Sequence, residues 1–250
     1  MWQALRDLHQ EPEHWQLSDY SAHAWRLART VWLAMLALCI VLGAVLPPHN
    51  PAKMFEEYRP YTIYTVIVLL ICGVVAVQCA RLTAGGARVA WSLAAGGFLF
   101  LAIDDLVQVH ERLDKLINHA FGWDPKATLP DLLDTAIVGA YGLAGLVALY
   151  VCRRQFFGLI GFARGIVAAG AAGGAMLVLD TLGELTPSRV VEAGLHILED
   201  AAEALAACCF FWTFVTARFQ LRRAAAAVGP GVAHARPTVE ATHQLQELRG

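Results

Sequence analysis

The sequence predicts an all-α protein, an integral membrane helical bundle of six transmembrane helices with both termini on the cytoplasmic side. Three observations lead there. Hydrophobic residues make up 57% of the 250 and charged residues 16%, with a mean hydropathy of +0.50, whereas soluble domains carry about 25% charged residues. Six apolar stretches recur along the chain, and they are apolar all round rather than alternating, which excludes a closed barrel. The basic residues gather at alternate ends of these stretches. The net charge of -2 leaves no basic face for nucleic acid, and the apolar content excludes a disordered or collagen-like chain.

The stretches are Val31–Leu46, Tyr61–Ala80, Val89–Ile103, Leu132–Val151, Phe156–Leu179 (interrupted by Arg164) and Ala204–Ala217. A spanning helix needs about 20 residues at a rise of about 1.5 Å. Arg26 and Arg29 precede the first span and Arg81 and Arg88 separate the second from the third. Arg153 and Arg154 separate the fourth from the fifth, and Arg218, Arg222 and Arg223 follow the sixth. All lie on one side, which the positive-inside rule makes cytoplasmic. The opposite side carries Lys53, Arg59, Arg112, Lys115, Lys126 and Arg189 in longer loops mixed with acids.

Residues 1–24 are polar, with Trp2, Leu5, Leu8 and Trp15, and read as a cytoplasmic interfacial segment rather than a signal peptide. The membrane domain is expected over residues 25–221. Residues 222–250, rich in Ala, Gly, Pro and His, read as a disordered cytoplasmic tail. No internal repeat is visible.

Cys39, Cys72, Cys79, Cys152, Cys208 and Cys209 all fall within spans or at their cytoplasmic ends. No disulfide framework and no CxxC metal motif follows from that placement; buried cysteine as a small apolar filler does. The glycines Gly96, Gly97, Gly139, Gly142, Gly145, Gly161, Gly165, Gly170, Gly173 and Gly174 read as packing positions where helices approach closely in lipid. Trp15, Trp25, Trp91, Trp123, Tyr61 and Tyr150 read as interfacial belt residues.

The acids carry the strongest signal. Of 21, nine sit at the outer ends of three helices: Asp104, Asp105 and Glu111 on the third, Asp180 and Glu184 on the fifth, and Glu192, Glu199, Asp200 and Glu203 on the sixth. His110 and His196 join them. Thr186-Pro187 reads as the start of the sixth helix. At about 100° per residue, Glu192, His196, Glu199, Asp200 and Glu203 share an arc of roughly 100°. By the same arithmetic Asp104, Gln108 and Glu111 share a face of the third helix, with His110 on its flank beside Asp114. Asp180 and Glu184 are one turn apart.

The charge-free runs Val89–Ile103, Gly165–Leu179 and Ala204–Ala217 are only about 21–22 Å long, against a hydrocarbon core of about 30 Å. At least the first turn of the acidic stretch is therefore expected at membrane depth, where ionisable groups are costly and mark function. Nine carboxylates without a Lys or Arg among them cannot all be charged and unpaired at low dielectric; either some hold protons or a cation is present. The i, i+3 pair His196 and Glu199 lets imidazole and carboxylate reach one metal, and its mirror image is the di-metal motif of carboxylate bundles. Oxygen-rich ligands with imidazoles suit Zn, Mn or Fe. The expected metal ligands are Asp104, His110, Glu192, His196 and Glu199, and the expected catalytic groups are Glu111, Asp180 and Glu203. Asp131 is expected to serve its helix N-terminus, with Asp134 doing the same or lining the cavity. Asp114 and Asp124 are expected as plain loop acids, and His119, His234 and His243 as surface residues.

The run Phe98-Leu99-Phe100-Leu101-Ala102-Ile103-Asp104-Asp105 followed by His110-Glu111 resembles a motif of uncharacterised bacterial multi-pass membrane proteins. These pair an Asp-acid-x4-His-Glu helix with a later acid-rich helix, here Glu192–Glu203. The resemblance covers the third and sixth spans and implies no activity. The chain is also similar to ceramidase-like membrane hydrolases in placing a carboxylate and imidazoles in a helical bundle. It lacks their paired histidines four apart on the last helix and is not assigned there.

Three functions fit. The first is a metal-dependent enzyme of the bacterial inner membrane, a hydrolase or oxidoreductase acting on a membrane lipid or other apolar substrate. A remaining carboxylate would be the general base on a metal-bound water. The second is a divalent-cation or proton transporter, disfavoured by the absent repeat and by cytoplasmic halves with little polar lining beyond Arg164 and Gln78. The third is an accessory subunit whose acidic cavity docks a partner.

Overall fold

The structure, a computed structural model, describes residues 16–45, 60–122, 128–186 and 188–228, leaving out the side chains of 111, 128–132, 134, 184 and 189. Among the described residues it is all helical. The helices are α1 (Leu17–Val45), α2 (Pro60–Leu82), α3 (Gly85–Val107), α4 (Val109–Phe121), α5 (Thr128–Val151), α6 (Arg153–Phe156), α7 (Phe162–Glu184) and α8 (Arg189–Val228). Five of them, α1, α2, α3, α7 and α8, are long and apolar enough to cross a membrane, and α5 carries a shorter apolar stretch, Thr135–Val151. The interfacial reading of residues 1–15, Trp123 and Asp124, Pro187, and the tail from 229 with His234 and His243 lie outside the described residues.

The helix boundaries have local causes. Pro60 opens α2, where a missing N–H costs nothing. Gly122, at φ 64°, closes α4 in the left-handed conformation, its N–H turned back to the carbonyls of Asn118 and His119. Gly161, at φ 79°, starts α7. This corrects the fifth apolar stretch: Phe156–Gly161 is the end of a one-turn helix and a turn, and the long helix begins at Phe162. The other unexpected boundary is Gln108 (φ 56°, ψ 51°), left-handed without being glycine, which breaks the third apolar helix into α3 and α4.

Helix α8 is the hub. It packs against α7, α2 and α1, and α2 packs in turn on α3. Its 40 residues extend about 60 Å, twice the hydrocarbon thickness. Trp91 is 1% exposed and meets Phe156, Phe162 and Phe214 edge-on at 5.0, 6.0 and 5.4 Å. Trp91 and Tyr61 are therefore core residues, not the belt residues their position near span ends suggests; burying a large ring against several neighbours outweighs the interfacial preference. Tyr20 stacks on Phe219 at 4.2 Å, locking the start of α1 to α8. Large apolar side chains such as Leu33, Val41, Ile67, Val74, Leu93 and Val167 face outward, the pattern of a bundle whose surroundings are lipid rather than water. The protein is membrane-embedded.

The glycines divide sharply. A Cβ added at Gly165 would run into Thr213, with the Thr213 Cβ 2.9 Å away. At Gly96, Gly97, Gly139, Gly142, Gly145, Gly170, Gly173 and Gly174 it would meet nothing within 4 Å among the described residues. Those eight are not close-packing positions, a correction to the small-residue reading; spacing alone does not say which face meets a neighbour. All six cysteines are free and buried.

Candidate functional site

The break at Gln108 sets the first part of the site. Because α3 stops there, Asp104 and Glu111 do not share a helix face. The chain turns His110 back onto Asp104 instead of leaving it on the flank beside Asp114. Asp104 Oδ1 accepts the His110 backbone N–H at 3.1 Å, and His110 Nδ1 lies 2.7 Å from Asp104 Oδ2. Asp104 is buried at 3% exposure. Asp114, expected in a loop, is helical and accepts from Asn118 Nδ2 at 2.8 Å. His119 is exposed.

The second part joins α3 to α8. The carboxyl groups of Asp105 and Glu203 come within hydrogen-bonding reach of each other. Two carboxylates offer only acceptors, so such a bond exists only when one carries a proton. Asp105 Oδ2 is buried and receives a hydrogen bond from no N–H or hydroxyl among the described residues. Asp200 and Glu199 lie within electrostatic reach of Glu203.

The third part joins α8, α7 and α5. His196 Nδ1 lies 3.1 Å from Glu199 Oε2, one turn on along α8. The ring lies over Gly183 of α7, where an added Cβ would be in ordinary contact with His196 Cε1 at 3.7 Å. Asp180 is within electrostatic reach of Glu199 and accepts a hydrogen bond from Thr135 Oγ1 of α5. Glu192 is half-buried near the start of α8. Glu111 lies on α4 and Glu184 ends α7; their side chains, with those of Asp131 and Asp134, fall outside the described residues.

The expected convergence of α3, α7 and α8 is thus present, but as a chain of pairs. Tested as a donor set for a divalent metal, the described residues do not fit. No three of His, Cys, Asp and Glu among them surround a point where an ion could sit. Among the described residues Asp104, His110, Glu192, His196 and Glu199 therefore surround no common point, for two physical reasons. The Gln108 break spends His110 on Asp104, and His196 is turned onto its own helix neighbour.

Sequence reasoning named Asp105 and Asp200 among the acids without giving them a role, and missed Thr135. Adjacent Asp104 and Asp105 point about 100° apart, and only packing decides which one faces α8. It also missed a polar path beside the acids. Tyr61 lies within electrostatic reach of Asp200, and its ring is 6.0 Å from that of Tyr64. Tyr64 OH is 3.1 Å from Cys208 Sγ. These groups lie at the start of α2 and just past Glu203 on α8, and so border the acids at the same end of the bundle.

One comparison with known proteins succeeds. A family model described as "Domain of unknown function (DUF8692)" matches residues 47–219. The chain belongs to this family. The match takes in α2 to α7 and most of α8, and so every pair just described. No curated protein and no solved structure matches the chain.

Proposed function

We propose that this member of the DUF8692 family handles protons. In this reading it is a six-span protein of the bacterial plasma membrane, with both termini at the arginine-bearing end and the acids at the outer mouth. It belongs to the transporter class, moving protons or exchanging them for a cation. The observation that carries the reading is the carboxyl pair Asp105–Glu203 between α3 and α8. A proton held between two acids moves with little rearrangement when either partner changes its neighbours, and acids at membrane depth mark such relays. Two further features support it. The His110–Asp104 and His196–Glu199 pairs place imidazoles, the groups that titrate near neutrality, at the margin of the cluster. Tyr61, Tyr64 and Cys208 add hydrogen-bonding groups beside the acids.

The test is proton flux. Protein reconstituted in liposomes with an internal pH-sensitive dye is given a pH gradient, with and without a divalent-cation gradient. Wild-type protein should dissipate the gradient, and Asp105→Asn with Glu203→Gln should abolish that. Flux equal in wild type, double variant and protein-free liposomes overturns the reading.

A second reading keeps one supporting feature: a metal-dependent hydrolase or oxidoreductase acting on a lipid. Metal-ligating histidines hand their other ring nitrogen to a carboxylate, as His110 and His196 do here. Glu111 or Glu184 would have to complete the ligand set. Stoichiometric Zn, Mn or Fe in purified protein, lost in His196→Ala, would favour it.

A further inference from the structure

At the end of α3 opposite the acids, α2 and α3 leave a groove of about 560 Å³ between them. Asp105 and Arg88 lie 17 residues apart on one helix, about 26 Å, so the groove opens at the other membrane boundary. Its floor is made of small and apolar groups: Val77 and Ala80 from α2, Ala95 and Gly96 from α3. Leu99 closes the deep end by lying over Gly73, where an added Cβ would meet the Leu99 side chain at 3.0 Å. The size is that of a small-molecule site rather than of a packing defect.

The mouth is cationic. Arg81, in the last turn of α2, and Arg88, in the first turn of α3, both line it. Arg88 is held in place: its Nε donates to the Thr83 carbonyl at 3.0 Å, while Thr83 Oγ1 donates to the Cys79 carbonyl at 3.0 Å. Among the described residues neither guanidinium has a carboxylate partner or a ring to lie on, whereas Arg153 covers Tyr150 and Arg223 covers Phe219. Ser92, one turn along α3 from Arg88, adds a hydroxyl to the same wall.

We propose that this groove binds one anionic phospholipid, its phosphate between Arg81 and Arg88 and an acyl chain along the floor toward Leu99. The charge complementarity decides the occupant. Two cations without a carboxylate beside them at a membrane boundary call for an anionic headgroup, and the apolar trench running from them inward calls for a chain attached to it. A free phosphate leaves the trench unused. A choline headgroup brings a cation against the guanidiniums. The site stands apart from the acid cluster and does not depend on the proton reading.

The test is lipid retention by native mass spectrometry. Detergent-purified protein is titrated with phosphatidylglycerol and with phosphatidylcholine of identical acyl chains. Wild-type protein should retain one phosphatidylglycerol with a preference of about thirtyfold, the order two surface arginines supply. Arg81→Gln with Arg88→Gln should erase the preference. Gly96→Leu, which fills open space in the groove, should lose the bound lipid. Gly97→Leu, equally open but not in the lining, should keep it. Equal retention of both lipids by the wild type, a preference surviving in the double arginine variant, or a protein dimer in place of the lipid adduct overturns the proposal. Should Gly96→Leu fail to fold, the arginine variant alone decides.

Discussion

Asp104 binds the residue six positions ahead of it twice: Oδ1 accepts the His110 N–H at 3.1 Å and Oδ2 lies 2.7 Å from His110 Nδ1. The relationship spans the left-handed Gln108, so Asp104 satisfies one of the N–H groups that the start of α4 would otherwise leave unpaired. Its role is to hold the junction between α3 and α4.

From this it follows that Asp104→Ala lowers the stability of the folded protein by about 2 kcal/mol, the upper range for a lost cap. His110→Ala should cost less, because the backbone N–H stays satisfied. Thermal unfolding in detergent, followed by circular dichroism, compares the two; a larger loss in His110→Ala would refute the capping role.

The pair His196–Glu199 is half exposed, with side chains 42% and 23% accessible. Solvent screening therefore holds its coupling to about 0.5 kcal/mol. A double-mutant cycle with His196→Ala and Glu199→Gln should return a value of that order. A coupling several times larger would mean that a further charged group, such as a bound cation, joins the pair.

Helices α7 and α8 are pressed together at Gly165 and Thr213. Gly165→Ala should destabilise the protein by about 1–3 kcal/mol, the range for overpacking a filled site. Thr213→Ala in the same chain should recover part of it by removing the hydroxyl and methyl. Gly170→Ala, facing open space, should be neutral or slightly stabilising, since alanine favours the helix. Equal losses at positions 165 and 170 would show that the helix contact is misplaced.

All six thiols are buried and free, and buried thiols in apolar surroundings are inert. Intact protein in mild detergent should resist N-ethylmaleimide, and protein unfolded in dodecyl sulfate should take up six equivalents by mass. Rapid modification before unfolding would place at least one cysteine at the surface.

Much of the fold is legible in the chain. The apolar run Tyr61–Ala80 anticipates α2 (Pro60–Leu82) to within two residues at either end, because a helix shielded by neighbours and lipid must be apolar wherever it is not capped. The face of α8 bearing Glu192, His196, Glu199, Asp200 and Glu203 follows from helical geometry alone. The limits are equally specific. A left-handed glutamine carries no sequence flag, so the α3–α4 break went unseen, and with it the capture of His110 by Asp104. Periodicity does not distinguish Asp105 from Asp104 as the residue that meets Glu203, nor Gly165 from Gly170 as the one pressed against a neighbour.

The sequence by itself determined that the chain is an α-helical membrane bundle with its acids gathered at the ends of three helices. Those properties reside in local composition and in the fixed 100° step of the helix. Only the tertiary structure decided that the acids and imidazoles meet in pairs, that Trp91 is core, and that Arg81 and Arg88 share one groove. Each of these depends on which faces of sequence-distant helices are pressed together, and packing across the whole bundle sets that.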